Sequence, residues 1–315
     1  MLKWNRNYRL VFDIGEIART QSGIDALGNA IYQYQYDKPT FYESIEIAYP
    51  FTLFFSVNRD TYSQVNTAYF QILGLNETTR TKLYKDRDNV QKFIRCRFYA
   101  GYEDNMPLCF NGSIKECYSY KESGGTEFKT EIEAWDGGFG IYWAHTNKTL
   151  SRDVKSTDIL NILTADFKTI ELGGISDNIK IPETQRDHTF IGKTWDCIRS
   201  YVNNNLFIDN ERIYYMLTEE DVRQGELMLL DADSGLLASP RRRDKTLEVE
   251  LLFEPRVVLG QQIALSSSSV SYLNGTYKIV GISHNGVISG AVNGKISTKL
   301  SLFIGSKIFN QIKEL

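Results

Sequence analysis

Lys92-Phe93-Ile94-Arg95-Cys96-Arg97-Phe98-Tyr99-Ala100 alternates with a period of two. Ile94, Cys96, Phe98 and Ala100 share one face, and Arg95 and Arg97 take the other. Successive side chains of a strand point to opposite faces, so the pattern predicts a strand with one buried side. Its surroundings, Tyr49 to Asp136, repeat the signal. Phe128, Thr130, Ile132 and Ala134 oppose Glu127, Lys129, Glu131 and Glu133. Gly124-Gly125 between Cys109–Tyr120 and Thr126–Trp135 predicts a hairpin turn. Phe51 to Val57 is so evenly apolar that it reads as a strand buried on both faces. The one interruption is Asn76, whose side chain can accept an N–H of a first helical turn and so start a short helix reaching about Lys85. The residues are apolar, aromatic and turn-forming, which points to a scaffold whose product is shape and self-association.

The flanks divide by period. Arg6 to Ile14 alternates as a strand. Tyr32, Tyr34 and Tyr36 alternate with Gln33, Gln35 and Asp37, so a tyrosine face lies on an extended segment and can bury against this chain or another. From Ser156 the period becomes helical: Ile159, Ile162, Leu163, Phe167 and Ile170 form a stripe over Ser156–Leu172, with Gly173-Gly174 as its stop. Thr194 can cap a second helix with Trp195, Ile198 and Val202 on its buried face, ended by Asn203-Asn204-Asn205. Leu206–Ile208 and Arg212–Leu217 read as a hairpin around Asp209-Asn210. Thr218 with Asp221 reads as the start of a short helix closed at Gly225. Period two returns at Arg243, with Leu247, Val249, Leu251 and Phe253 on one side. Strands follow at Gln262–Ser266, at Tyr277–Ser283 after the Asn274-Gly275 turn, and at Lys295–Phe303. Ser306 to Leu315 is a candidate terminal helix.

The fold expected is therefore mainly β with an α+β insertion, as two small barrel-like β domains around an α/β-containing middle segment. The expected divisions are 1–146 with an extended N-terminal segment, 147–240, and 241–315.

Composition excludes several function classes. The chain has 315 residues with 36 Lys+Arg against 39 Asp+Glu, a net charge of -3. No overall basic field exists to hold nucleic acid by counterion release. Aromatic residues make up 13%, with 19 Tyr and 17 Phe, types that favour strands and interfaces. Only 6 Pro occur, against long disordered linkers. Cys96, Cys109, Cys117 and Cys197 form no CxxC pair and have no His at metal spacing, so they read as buried reduced thiols and no cofactor or metal is expected. The N-terminal stretch interleaves Lys3, Arg6 and Arg9 with apolar residues and lacks a signal-peptide core. The densest apolar run, Phe51–Val57, is far shorter than the roughly 20 residues of a membrane helix, so no membrane insertion is expected. Asn-x-Ser/Thr triplets at Asn76, Asn111, Asn147 and Asn274 read as turns and caps.

Catalytic readings are thin. His145, His188 and His284 lie in separate segments, and no GxSxG turn supports a nucleophile. Glu131 and Glu133 share a strand face, but Glu127 and Lys129 extend the row, so it reads as a solvated face. Asp231 and Asp233 precede Ser234-Gly235 and read as a turn, without the acidic spacing of a calcium loop. Arg241-Arg242-Arg243 after Pro240 is the compact basic cluster. It could touch a phosphate backbone or line a lumen, or form solvated or inter-subunit ion pairs.

Taken in order, several segments resemble the baseplate hub proteins of tailed bacteriophages, including contractile-tail and related injection-machine hubs. They are Tyr49–Phe55, Ile72–Arg80, Tyr99–Tyr102, Leu108–Ile114 and Glu133–Gly137, then Gly235-Leu236-Leu237-Ala238-Ser239-Pro240-Arg241-Arg242, Leu252–Gln261, Asn274–Val280 and Ile282–Gly286. The resemblance implies a homotrimeric structural protein of the virion tail, synthesised in the host cytoplasm. Each subunit would give two barrel-like domains, and six such domains would match the six-fold tail tube. Expected partners are tail tube and distal tail proteins, a central spike and the tape-measure protein, with DNA passing through the lumen. Arg241, Arg242, Arg243, Tyr32, Tyr34 and Tyr36 are then candidates for lumen or inter-subunit contact. Some hub-like proteins carry a fused lysozyme or peptidase domain; this chain has no length left for one, and no enzyme activity is expected. Alternatives are another tail scaffold, such as a distal tail or spike-adaptor protein, or a carbohydrate-binding or hydrolysing tail module that would use Glu131 or Glu133.

Overall fold

The computed structural model describes residues 5–20, 23–24, 30–31, 35–62, 65–176, 187–216, 221–291, 294–303 and 310–312. The first half is β1 Arg6–Glu16, β2 Thr40–Ala48, β3 Leu53–Asp60, β4 Asn66–Leu73, α1 Glu77–Leu83, β5 Lys92–Tyr102, β6 Leu108–Tyr120 and β7 Lys129–Asp136. The middle is α2 Gly138–Trp143, β8 His145–Leu150, α3 Ser156–Thr164, β9 Glu171–Ile175, β10 His188–Lys193, α4 Thr194–Tyr201, β11 Leu206–Asp209 and β12 Arg212–Tyr215. The last part is β13 Asp221–Leu230, β14 Arg241–Arg243, β15 Thr246–Leu252, β16 Gln261–Leu265, β17 Gly275–Ile288, β18 Ile296–Phe303 and β19 Asn310–Ile312. The chain is thus mainly β with an α+β insertion.

One 14-stranded sheet joins the two ends of the sequence, in the order β14-β15-β18-β17-β3-β4-β7-β6-β5-β1-β2. β13 pairs with β16 and β19, and β16 also pairs with β17. The link between halves is β17, whose 14 residues pair with β16 at one end and with β3 at the other. β3 itself reads Leu53, Phe55 and Val57 inward, with Phe54 39% exposed on the outer side. The expectation of two buried faces for Phe51–Val57 is therefore corrected. Apolar Phe54 and Phe51 sit on the solvent side, and an isolated exposed aromatic looks the same in sequence as a buried one.

Among the described residues, three large cores and one small cluster of Ile17, Tyr36, Phe93 and Phe139 fill the fold. Leu10, Phe12, Phe55, Phe70, Ile94, Phe98, Phe110 and Ile132 fill the first half. Phe98 meets Phe55 and Phe70 with ring centroids 4.9 and 5.1 Å apart. Each such buried side chain stabilises the fold by about 1.5–3 kcal/mol. Leu247, Val249, Leu251, Val257, Ile263, Ile279, Leu300 and Leu302 fill the last part. The middle core takes Ile159, Leu163 and Phe167 from the α3 stripe and its 3-10 extension, and Trp195, Ile198 and Val202 from the α4 region. It backs onto the small sheet β9-β12-β11. Asn76 does cap α1, accepting the Thr79 N–H at 2.8 Å. Gly124 sits in the predicted hairpin at φ 78°.

Several local expectations are corrected. α3 stops at Thr164 and a 3-10 turn at Phe167, so the helix does not reach Leu172. Gly173-Gly174 lies inside β9 instead of ending a helix. A Cβ on Gly173 would come within 2.6 Å of the Tyr214 ring, so glycine there serves strand packing. Thr194 is the first residue of α4, and its hydroxyl meets that of Thr146 at 2.9 Å instead of capping the helix. Asp221 opens the strand β13; Thr218 lies outside the described residues. β13 pairs with β16, so residues 221–230 join the C-terminal strands although they fall inside the expected 147–240 division. Within Ser306–Leu315, Asn310–Ile312 is a strand beside β13, and the rest is outside the described residues.

Candidate functional site

A dense polar cluster is buried at the tip of the β11–β12 hairpin. Asn210 and Glu211 both have φ 59°, the pair of left-handed residues a tight two-residue hairpin requires. The turn carries Asp209 between the two halves of the large sheet. Arg59 of β3 donates from Nη1 to Asp209 Oδ1 at 2.9 Å, and Arg223 of β13 donates from Nη1 to Oδ2, also at 2.9 Å. The Arg59 side chain is 0% exposed and that of Asp209 1%. Arg59 Nη2 also donates to the Val257 carbonyl at 3.3 Å. Charge buried this deeply survives only by pairing.

A second carboxylate holds the backbone of the same turn. Asp136, the last residue of β7, accepts the N–H of Asn210 at 2.7 Å and that of Glu211 at 2.5 Å. Asn66 donates to Asp136 at 3.1 Å and to the Ile208 carbonyl at 2.8 Å. Asn111 N–H donates to the Asn210 side chain at 2.8 Å. Burial pushes the Asp136 carboxyl up to about 7, the neighbouring Asp209 charge adding to it against the donated hydrogen bonds. Burial likewise pushes Glu211 up to about 8, with Arg95, 3.8 Å away, pulling the other way. The cluster borders a cavity of about 500 Å³ between the hairpin, Arg95 and Arg223. It is a mechanical junction: one turn ties the middle segment to both halves of the sheet.

The predicted basic cluster lies elsewhere. Arg241–Arg243 form β14, all three exposed, paired with β15 at one end of the large sheet. Arg243 meets Glu248 at 3.1 Å. Arg241 and Arg243 line a groove of about 650 Å³ on the solvent face of β14, β15, β18, β17 and β3. Apart from the inward Arg59, its charged lining is Arg241, Arg243 and Lys299 against Asp60, Glu248 and Glu250. Three charges of each sign give no net charge. Tyr36 is 5% exposed and packs edge-on to Phe139 and Trp143, ring centroids 5.3 and 5.6 Å away, inside its own chain. Within the single chain, Tyr36 is covered by its own neighbours. Tyr32 and Tyr34 lie outside the described residues.

The acidic row on β7 is held for structure. Glu131 accepts hydrogen bonds from Tyr118 at 2.7 Å, Tyr120 at 2.9 Å and Gln71 at 2.9 Å. Partial burial pushes its carboxyl up, but these donors together with Tyr69 outweigh it and hold the group below the usual range. Glu133 is likewise pushed up by burial and held lower by Lys115, 2.5 Å away, and Glu116. A general acid needs a raised pKa, so neither carboxylate suits one. His284 is buried with Nδ1 2.9 Å from Thr298 Oγ1, and burial keeps it neutral. Burial pushes the Cys109 and Cys117 thiols up to about 12, which makes them poor nucleophiles. Among the described residues no cluster of three or more His, Cys, Asp or Glu could hold a metal. Among those residues, too, no helix is long and apolar enough to cross a membrane.

Sequence reasoning missed the junction. A signal was present: Arg59 and Asp136 fall in the inward phase of β3 and β7, where Val57 and Ala134 precede them. A charge in an apolar phase requires a buried partner.

The architecture is a large sheet tied to the middle segment by a buried polar junction. In solved structures, the fold is similar to a tail protein from Neisseria meningitidis MC58, with TM-score 0.55, 9% identity, and coverage of 81% of this chain and 96% of that one. It is also similar to a 43 kDa tail protein of prophage MuSo2 from Shewanella oneidensis, with TM-score 0.52, 8% identity, and coverage of 82% and 93%. A third is the E. coli c3393 protein, described as a component of the type VI secretion system with structural similarity to T4 tail proteins gp27 and gp5. Its TM-score is 0.54 at 7% identity, covering 84% of this chain and 76% of that one. No curated protein matches the chain. The sequence profile of the family described as baseplate hub gp41 matches residues 38–287, and the chain belongs to that family. It is accordingly a structural protein of the phage tail.

Proposed function

We propose that the chain is the hub of a bacteriophage baseplate, acting as a homotrimeric ring that adapts the six-fold tail tube to a three-fold central spike. Its channel passes the tape-measure protein and then the genome. Tube and distal tail proteins sit above the ring and the spike sits below. The family match over residues 38–287 carries this reading. Two features of the chain support it. The sheet is built from an N-terminal and a C-terminal set of strands joined by β17 and β3, so each subunit can offer two sheet-bearing units to a ring. The sheet's polar groove between β14 and β3 balances its charges, which suits a passage that must not hold DNA.

The test is native mass spectrometry of the purified chain at micromolar concentration, with electron microscopy of the same sample. Rings of three chains are the expected result. A species that stays monomeric overturns the reading, and rings of six move it to a distal-tail type of scaffold.

A further inference from the structure

The cavity of about 500 Å³ beside the β11–β12 turn is lined by charged side chains that the junction leaves without hydrogen bonds. Arg95 of β5 has its Nε buried without a hydrogen-bond partner, 3.8 Å from Glu211 Oε2. Its Cζ lies 4.6 Å from the centroid of the Phe41 ring, a stacking that fixes the guanidinium and leaves its N–H edge available. Arg212 of β12 reaches only to 4.0 Å from Glu171 of β9. Both separations are too long for hydrogen bonds. Glu211 lines the same cavity with its side chain 6% exposed, and its carboxyl accepts no hydrogen bond among the described residues. The remaining pair on this wall is already joined, Arg223 of β13 to Asp209.

We infer that this cavity is a binding site for a carboxylate group, held by the guanidinium edges of Arg95 and Arg212 and by the carboxyl of Glu211. A guanidinium presents a planar fork of N–H donors that matches the two oxygens of a carboxylate. The charge count calls for one negative group. Arg95, Arg212 and Arg223 face Glu171, Asp209 and Glu211. Burial pushes Glu211 up to about 8, which Arg95 opposes and Asp136, at the end of β7, and Glu171 reinforce. At pH 7 Glu211 therefore carries a proton, offers an O–H, and leaves the lining one positive charge in excess. The cavity has room for several atoms behind the carboxylate. A free small acid and an acidic side chain of another protein both offer that chemistry.

Titration calorimetry of the whole chain with butyrate, which copies the end of a glutamate side chain, tests the site. Saturable binding at about pH 6.5 is expected, and Arg212→Gln, at a half-exposed position, weakens it about tenfold. Affinity in the parent falls about tenfold by about pH 9, because Glu211 ionises and sets a second anion against the ligand. Glu211→Gln keeps a donor without a titrating proton, so it still binds butyrate and loses this pH dependence. The capped peptide acetyl-Gly-Gly-Glu-Gly-Gly-amide identifies the source. Binding about tenfold tighter than butyrate assigns the carboxylate to an acidic segment of another protein, and anything weaker assigns it to a free small acid. The site is overturned if neither probe saturates by about 50 mM, or if Arg212→Gln leaves binding unchanged. It is also overturned if the parent, with no substitution, binds equally well on both sides of pH 8.

Discussion

Two arginine groups in this chain have opposite relations to the fold. Arg241-Arg242-Arg243 are contiguous in sequence and exposed at a sheet end, with one ion pair among them. Arg59 and Arg223 are 164 positions apart, since 223 - 59 = 164, and they converge on the buried Asp209. The contiguous group is the one a reader of the sequence notices. The dispersed group is the one the fold depends on. Exposed pairs contribute at most about 1 kcal/mol because water screens them and long side chains lose entropy. A buried pair contributes little over apolar packing, but removing one member strands the other charge, which costs about 3–5 kcal/mol. Contiguity is therefore a poor guide to energetic weight.

The sharpest way to break this comparison is Asp209→Ala. It leaves Arg59 fully buried without its counter-ion, and we expect a loss of about 3–5 kcal/mol in urea denaturation. A loss below about 1 kcal/mol would mean that the Val257 carbonyl and water suffice for the guanidinium, and the junction would not be the tie described above.

The next effect comes from protonation of the same junction. The folded values of Asp136, about 7, and Glu211, about 8, lie above their ordinary values of 3.8 and 4.5. The folded state thus binds more protons than the unfolded chain between those limits. Their contribution to stability is full below about pH 4 and is lost as pH rises through 7 to 8. Melting temperature measured from pH 5 to 9 should carry a downward contribution from this pair. Asp136→Asn should flatten the profile relative to the parent. A variant profile parallel to the parent's would show that the three donated hydrogen bonds hold Asp136 ionised throughout.

Gly173→Ala probes packing without charge. The added methyl carbon meets the Tyr214 ring at 2.6 Å, too close for a real contact. Displacing a ring in a closed core costs about 1–3 kcal/mol. Tyr214→Leu in the same background should return part of that loss in thermal melts.

Much of the sheet was legible because strands state their phase residue by residue. The inward rows Leu10, Phe12, Ile14 and Ile94, Cys96, Phe98 follow directly from alternation, as does the outward place of Arg95 and Arg97. Apolar character fails as a guide where a residue breaks phase. Phe54 is apolar yet outward, so β3 looked buried on both sides. Ile159 to Ile170 can be read as one helical stripe, although the chain turns after Phe167, where Lys168 takes φ 63°. A stripe of period 3.6 does not show where the hydrogen bonds stop. The junction was least legible because its members come from β3, β4, β7, the β11–β12 turn and β13. Only tertiary pairing brings them together, and alternation says nothing of which strands become neighbours.

The smallest expected effect closes the comparison from the exposed side. Arg242→Ala should change monomer stability by less than about 0.5 kcal/mol, because its side chain is exposed and has no ion pair among the described residues. Urea denaturation in dilute protein, below the concentration at which copies associate, isolates that term. If the loss instead approached that of Asp209→Ala, β14 would be a structural strand of the single chain and not an available end. If it stays small while association weakens, the same residue is idle in the fold and active between copies.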